Sequence, residues 1–463
     1  MQRWGTVRTA VVGVLGPALV GLVVAVVGWL RLGPVAARTV WAEDGGVFLR
    51  ERVADGPWDL LQPYAGYLHL VPRLVVDAAW ALPVERYALA LSLGSCCVVG
   101  AAAALVFVLA RPVVGPWPLR ALLASVPALL PLAPYEIAGN AANLHWFLLA
   151  LAPWVFAYRP RSRWSAAGLA LVAGAVTLTE PQAVLFVPLL LLAWFPRPAR
   201  RGGRPDLRAL PVTVVALVGA TAQVLVALST PRTAASATPR PLDIAAGWLL
   251  QPVGGLYRPG ATDVVRSVLA HGWWVAVVPA LGIVALLVAA VVVGGARARW
   301  IVVAMGGASF VVWAAALYAN GVDSPWAHPT PALAEARPLR YAAASGLLLL
   351  SAAATAAGVL VTWADGRGGI RGASRSGRTG GAARLAGAAA GWSGVALVVT
   401  SVVIGVAPQV LDHAPAESRR AAGPVWAPQM AAAAATCRAD RGLDLVRVQT
   451  APWSAKVPCE RLR

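Results

Sequence analysis

Residues 164–196 read WSAAGLALVAGAVTLTEPQAVLFVPLLLLAWFP, 33 positions with one charge, Glu180, set in Thr179-Glu180-Pro181-Gln182. As one continuous helix the stretch would measure about 50 Å, too long for a single bilayer crossing and short for two full ones. Pro181 disfavours helix at the residue before it. The stretch therefore predicts a hairpin of two membrane-buried arms, each about 24 Å long, with Glu180 at the tip and slightly below the interface. A carboxylate at that depth needs a wet cavity or a partner.

The preceding segment repeats the pattern. Across 121–158 the only formal charge is Glu136, within Tyr135-Glu136-Ile137-Ala138-Gly139-Asn140-Ala141-Ala142-Asn143-Leu144-His145-Trp146. Asn140, Asn143 and His145 follow the acid at spacings of three and two, so two hairpins aim acids and amides at one level. Polar side chains of this kind also serve as hydrogen-bonding glue between helices. For the Asn pair both readings stand, whereas Glu180 points to function because an intramembrane acid has few structural uses.

Extending the reading along the chain gives eleven charge-free runs: 9–30, 87–110, 121–135, 137–158, 164–179, 181–196, 209–231, 267–296, 300–322, 341–364 and 385–411. The composition agrees, since 59% of the 463 residues are hydrophobic, 13% are charged and the mean hydropathy is +0.68. Ordinary cytosolic, disordered and disulfide-dense chains are excluded. The formal charge of +19 would suggest nucleic-acid binding in a soluble protein. Here the arginines fall between apolar runs, so no nucleic-acid partner is expected. With the N-terminus inside, the cytoplasmic loops hold 19 arginines against Asp206 and Asp365, and the other face holds 20 basic and 18 acidic residues. This is the positive-inside asymmetry. The expected fold is all-α: a polytopic transmembrane bundle of about eleven spans over 1–409, N-terminus in and C-terminus out. Residues 31–86 would form its first outer loop.

Residues 410–463 read as a small extracytoplasmic tail. Cys437 and Cys459 lie there, 22 positions apart. A segment of about 50 residues on an oxidising face holds a core poorly without a staple, so a disulfide is expected. The alternation Leu443-Asp444-Leu445-Val446-Arg447-Val448-Gln449 predicts a short strand. Cys96 and Cys97, inside an apolar run, read as small packing residues.

The first outer loop carries Trp41-Ala42-Glu43-Asp44-Gly45-Gly46-Val47-Phe48-Leu49. Two neighbouring carboxylates can hold a divalent cation while one acts as base, and the glycines allow close approach of a ligand. An acidic dipeptide alone is by default a solvated loop. Downstream, Tyr64, Tyr67, His69 and Arg73 are interleaved with apolar residues, as in an amphipathic element along the outer interface. Aromatic faces stack on sugar rings and Arg meets phosphate; a plain interfacial belt is the alternative. Before the tenth run stands Glu335-Ala336-Arg337-Pro338-Leu339-Arg340-Tyr341, two arginines at a helix mouth that fit a lipid-linked phosphate or ordinary headgroup anchoring. Residues 230–266 are expected to include a short interfacial helix, and 365–384 a flexible linker.

The acidic pair in the first outer loop, the interfacial element beside it and about eleven spans together resemble the GT-C superfamily of integral-membrane glycosyltransferases, over the topology and about the first 200 residues. The resemblance implies a catalytic base or metal ligand at Glu43 and Asp44, with Mg²⁺ or Mn²⁺ as the cofactor. It implies a polyprenyl-phosphate sugar as donor and an envelope glycan or lipid as acceptor. Arg337, Arg340, Tyr341 and Arg73 would face the donor phosphate. Tyr64, Tyr67, His69, Glu136, Asn140, Asn143, His145, Glu180 and Gln182 would line the pocket. The small tail departs from the large carbohydrate-binding domain of many members, which leaves acceptor handling open. Arg-rich, Lys-poor usage matches a GC-rich bacterium, and hence a bacterial plasma membrane with an extracytoplasmic active face. The rival class, a transporter or flippase of a lipid-linked precursor, predicts charges at mid-membrane and paired broken helices.

Overall fold

A computed structural model describes residues 2–195, 205–230, 237–258, 261–334, 340–366, 378–411 and 415–463. The described chain is helical, with two small antiparallel two-stranded sheets. Seven helices are long and apolar enough to cross a membrane: Leu15–Ala36, Val84–Leu109, Leu207–Ser229, Trp274–Val293, Ala296–Ala319, Arg340–Ala364 and Ala383–Leu411. Arg340–Ala364 is the central one, buried without a break from Tyr341 to Val361 and packed against Trp274–Val293, Ala296–Ala319 and the last long helix. Peripheral helices instead expose Leu19, Leu228 and Val292, as expected where lipid is the solvent. The first helix and Tyr87–Leu109 cross at Gly21 and Gly100. A Cβ on either would come within 2.8 Å or 2.4 Å of the other's carbonyl oxygen, the close approach that small residues permit in membranes.

Four of the eleven charge-free runs hold no helix long enough to cross a membrane, among the described residues. They become Trp117–Leu129, Leu144–Ala157 and Arg163–Thr177, of 13, 14 and 15 residues, and a 3₁₀ stretch Pro181–Leu190 continued by Leu191–Trp194. At 1.5 Å per residue the three helices are about 20–23 Å long, because Leu130–Pro131 and Gly139–Asn143 leave the helix to make the tip. Glu136 closes the one-turn helix Ala133–Glu136 at that tip. Glu180 sits at the second tip in extended conformation, its side chain accepting from the Gln182 amide, as Pro181 predicts. The run 267–296 is also divided. Gly272, at φ +91°, separates Ala261–His271 from Trp274–Val293, and Pro241–Trp248 and Ala261–His271 occupy the region expected to hold an interfacial helix.

Polar landmarks divide the bundle into two ends. At one, the first loop, both hairpin tips and the tail meet: Leu70 N–H donates to Leu178 O, Arg419 N–H to Tyr135 O and Trp426 N–H to Arg38 O. At the other, Arg159 pairs with Asp206 at 2.6 Å and the Gly115 amide donates to Thr362.

Within the first loop, the element expected to be amphipathic is resolved into a hairpin, Pro63–Tyr64 with Tyr67–Leu68, followed by the helix Leu70–Trp80. Ala65 and Gly66 both have positive φ, 51° and 87°, the tight-turn geometry that suits strand twist. Gln223 pins the hairpin by bonding both the N–H and the C=O of Leu68. The tail forms a helix, Trp426–Ala439, and a hairpin of Leu445–Gln449 with Ser454–Pro458. The Cys437–Cys459 disulfide is formed and ties that helix to the end of the hairpin. Trp426 is fully buried, its indole N–H on Val84 O at 2.7 Å.

Candidate functional site

Glu43 and Asp44 stand at the start of a widened, π-helical turn, Asp44–Leu49. The two carboxylates have separate tasks. Asp44 is 1% exposed, and its oxygens accept the backbone amides of Ala141 at 3.0 Å and Ala142 at 2.7 Å, while Tyr87 O–H donates to its carbonyl. It thus anchors the first hairpin tip to the first loop. Burial pushes the Asp44 carboxyl up to about 7, against the pull of the Ala142 and Ala141 amides. Glu43 turns the other way. Its Oε1 meets Arg340 Nη1 at 3.3 Å, and its Oε2 is buried with no hydrogen-bond partner among the described residues.

Arg340 also lies 3.7 Å from Glu136, whose second oxygen meets Arg419 Nη1 at 3.2 Å. Burial pushes Glu136 up, and Arg340 and Arg419 oppose it. Each arginine covers a ring: Arg340 that of Tyr341 at 5.3 Å, and Arg419 that of Trp41 at 5.4 Å. Two acids and two bases from four distant parts of the chain thus form one alternating cluster.

A line of rings runs from this cluster. Tyr341 packs edge-on to Trp146, Trp146 lies against His145, and His145 and Tyr67 are 5.9 Å apart. Tyr67 stacks on His69 at 3.9 Å, and Tyr64 is 5.7 Å from the same ring. Glu180 Oε2 meets His145 Nδ1 at 2.5 Å, and Glu180 is 1% exposed. This contact orients the His145 ring. His69 Nδ1 donates to Tyr67 O, and burial holds the His69 imidazole well below its usual range. Besides Glu43 Oε2, the indole N–H groups of Trp41 and Trp146, the Tyr135 hydroxyl and Gln182 Oε1 are buried with no partner among the described residues. Native interiors rarely leave several such groups unsatisfied in one region.

Most of the residues singled out from sequence therefore converge: Glu43, Asp44, Glu136, Arg340, Tyr341, Tyr64, Tyr67, His69, His145, Glu180 and Gln182. Others do not. Arg73 is fully buried in a separate ionic group, bonded to Glu51 at 2.6 Å and Asp59 at 3.3 Å, and lies over Phe48, so its guanidinium is directed at acids of its own loop. Asn140 and Asn143 hydrogen-bond each other, and Asn140 also bonds Glu136 O. They shape the tip and do not line the cluster as side chains. Arg337 lies outside the described residues.

Gly45 and Gly46 make room for the tail, where a ligand was expected. A Cβ there would come within 2.7 Å of Thr450 and 2.9 Å of the Trp453 ring. Sequence reasoning missed Arg419, Arg420 and Trp146. The adjacent arginines after Glu417-Ser418, just past the last apolar run, were the available signal. Arg420 is buried and donates to the carbonyls of Thr39, Ala138 and Gly139.

The acid pair does not fit a divalent cation, because Asp44 spends both oxygens on amides and Glu43 gives one to Arg340. Among the described residues no group of three or more His, Cys, Asp or Glu is placed to hold a metal. Cavities of about 270 and 370 Å³ lie elsewhere. One is on the lipid-facing side between Val184 and Val224, the other at the opposite end of the bundle. No protein-family description, curated protein or solved structure matches this chain.

Proposed function

We propose that the chain is an integral-membrane glycosyltransferase of the GT-C type, moving a sugar from a polyprenyl-phosphate donor to an envelope glycan or lipid acceptor. The observation that carries this reading is the buried Oε2 of Glu43, without a partner among the described residues, on a carboxylate whose other oxygen meets Arg340. Glu43 Oε2 takes the proton of the acceptor hydroxyl as that oxygen bonds to the sugar's anomeric carbon. The bond from that carbon to the phosphate oxygen breaks, and its electron pair leaves on the lipid phosphate. Arg340 and Arg419 meet the charge gathered there. A positioned base contributes about 10²–10⁴-fold. Asp44 is a positioning residue, holding the tip that carries Glu136. Tyr67, His145 and Trp146 offer ring faces to a sugar, with Glu180 fixing His145.

We further read the chain as crossing a bacterial plasma membrane eleven times, counting the four short segments, with the cluster on the extracytoplasmic face. The alternation of loops between the two ends supports that count, and the arginine excess at the opposite end supports that orientation. The layer below the cluster favours catalysis over transport: Arg340–Ala364 and Leu144–Ala157 are buried and carry no charge below their first turns, so these two helices offer hydroxyl groups but no charged side chain deeper in. The test supplies labelled polyprenyl-phosphate hexoses and pentoses to membranes holding the full chain. Glu43→Gln at normal membrane abundance should abolish release of sugar from the lipid. Full transfer by that variant removes the proposal, and movement of intact labelled lipid across proteoliposomes would favour transport.

A further inference from the structure

At the end opposite the Glu43 cluster, a cavity of about 370 Å³ is walled by Arg159, Arg161, Arg208 and Arg297 together with Tyr158 and Pro160. These residues come from four chain segments: the exit of Leu144–Ala157, the approach to Arg163–Thr177, and the first turns of Leu207–Ser229 and Ala296–Ala319. Asp206 answers Arg159 at 2.6 Å. Among the described residues, the Arg208 and Arg297 guanidinium groups donate only to backbone carbonyls, of Arg161 and Leu192. The Nε of Arg297 is buried with no partner, and among the described residues the Arg161 guanidinium has no hydrogen bond or ion pair. Guanidinium groups repel one another, and helices place them around one space at a cost unless an anion joins them. Positive-inside topology asks only for arginines on this side; it does not ask them to share a cavity.

The depth of the cavity says which anion. Trp117, Trp164 and Trp300, all strongly exposed, stand on the first turns of helices at this end, and Trp164 and Trp300 each follow a cavity arginine by three positions. Exposed Trp rings mark the headgroup level of a bilayer. The wall is half apolar as well, through Tyr158, Pro160 and Pro112.

We propose that this cavity binds the phosphate headgroup of one anionic phospholipid. Arg161 and Arg208 clasp the phosphate oxygens, Arg297 lies behind them, and Tyr158 and the prolines take the glycerol backbone. The site is independent of the transfer reaction.

The test uses the full chain in neutral detergent, with native mass spectrometry and titration of phosphatidylglycerol, phosphatidylcholine or inorganic phosphate. The wild type should hold one phosphatidylglycerol, preferred over phosphatidylcholine by about tenfold or more. Arg161→Gln/Arg208→Gln should lose that preference. Arg161→Gln alone, at an exposed side chain whose loss leaves the fold intact, should weaken it several-fold. Arg163→Gln/Arg384→Gln, the same charge change on exposed residues of this end, should leave it unchanged. Equal binding of the two lipids, or equal loss in the control pair, overturns the site. Phosphate binding as tight as the lipid's overturns the lipid assignment.

Discussion

The two ends of the bundle handle charge in opposite ways. Near the first loop, guanidinium and carboxylate groups alternate: Glu43, Arg340, Glu136 and Arg419 in one cluster, Glu51, Arg73 and Asp59 in another. Many are buried, and each is sited by a contact far away in sequence. At the opposite end arginines dominate, and the pair Arg159–Asp206 stands at the rim with Arg159 44% exposed. Buried charge demands a specific partner because desolvation is expensive, whereas rim charge is satisfied by water and headgroups. A compensated end can hold reacting groups in fixed geometry, and an uncompensated end sets orientation and attracts anions.

The contrast can be broken by substitution, and the effects should fall in a definite order. Glu43→Gln should lower sugar transfer by about 10²–10⁴-fold with normal protein level; a loss no larger than that of Arg159→Gln would erase the functional difference between the ends. Arg73→Met should cost about 3–5 kcal/mol, because Glu51 and Asp59 lose their shared cation, read as a fall in unfolding temperature in detergent. Gly46→Ala should cost about 1–3 kcal/mol by driving a methyl group into Trp453, and Trp453→Ala should recover part of it.

Asp44 sharpens the comparison through pH. Its carboxyl is raised in the folded state, so its stabilising contribution is complete below about pH 4 and is lost as pH rises to about 7. Thermal unfolding between pH 4 and 8 should show that decline in the wild type and a flatter curve in Asp44→Asn. The smallest effect belongs to the other end, where Arg159→Gln should change stability by less than about 1 kcal/mol.

Much of this was legible in the sequence because it is local. Pro181 and the lone charges Glu180 and Glu136 mark the tips, apolar runs mark the helices, and two cysteines in a polar tail mark the bridge. What escaped is non-local. Arg419 and Glu136 are 283 positions apart (419 − 136), and no periodicity records such a meeting. The tail illustrates the same limit. Gly45-Gly46 reads as room for a ligand until the Thr450–Ser454 turn is seen against it, and Arg419, not singled out from the sequence, stands beside Glu136. Arg73 looks like a phosphate clamp because its acids, Glu51 and Asp59, precede it by 22 and 14 positions, beyond helical spacing.

The placement of Arg419 and Arg420 has a consequence for biogenesis. The long helices among the described residues all precede these two arginines, yet the carbonyls of Thr39, Ala138 and Gly139 and one oxygen of the Glu136 carboxylate lack these partners until both arginines have been translated. A chain cut short of them would keep its long helices and lose the bonds that hold the first hairpin tip. The order of synthesis thus finishes this cluster last.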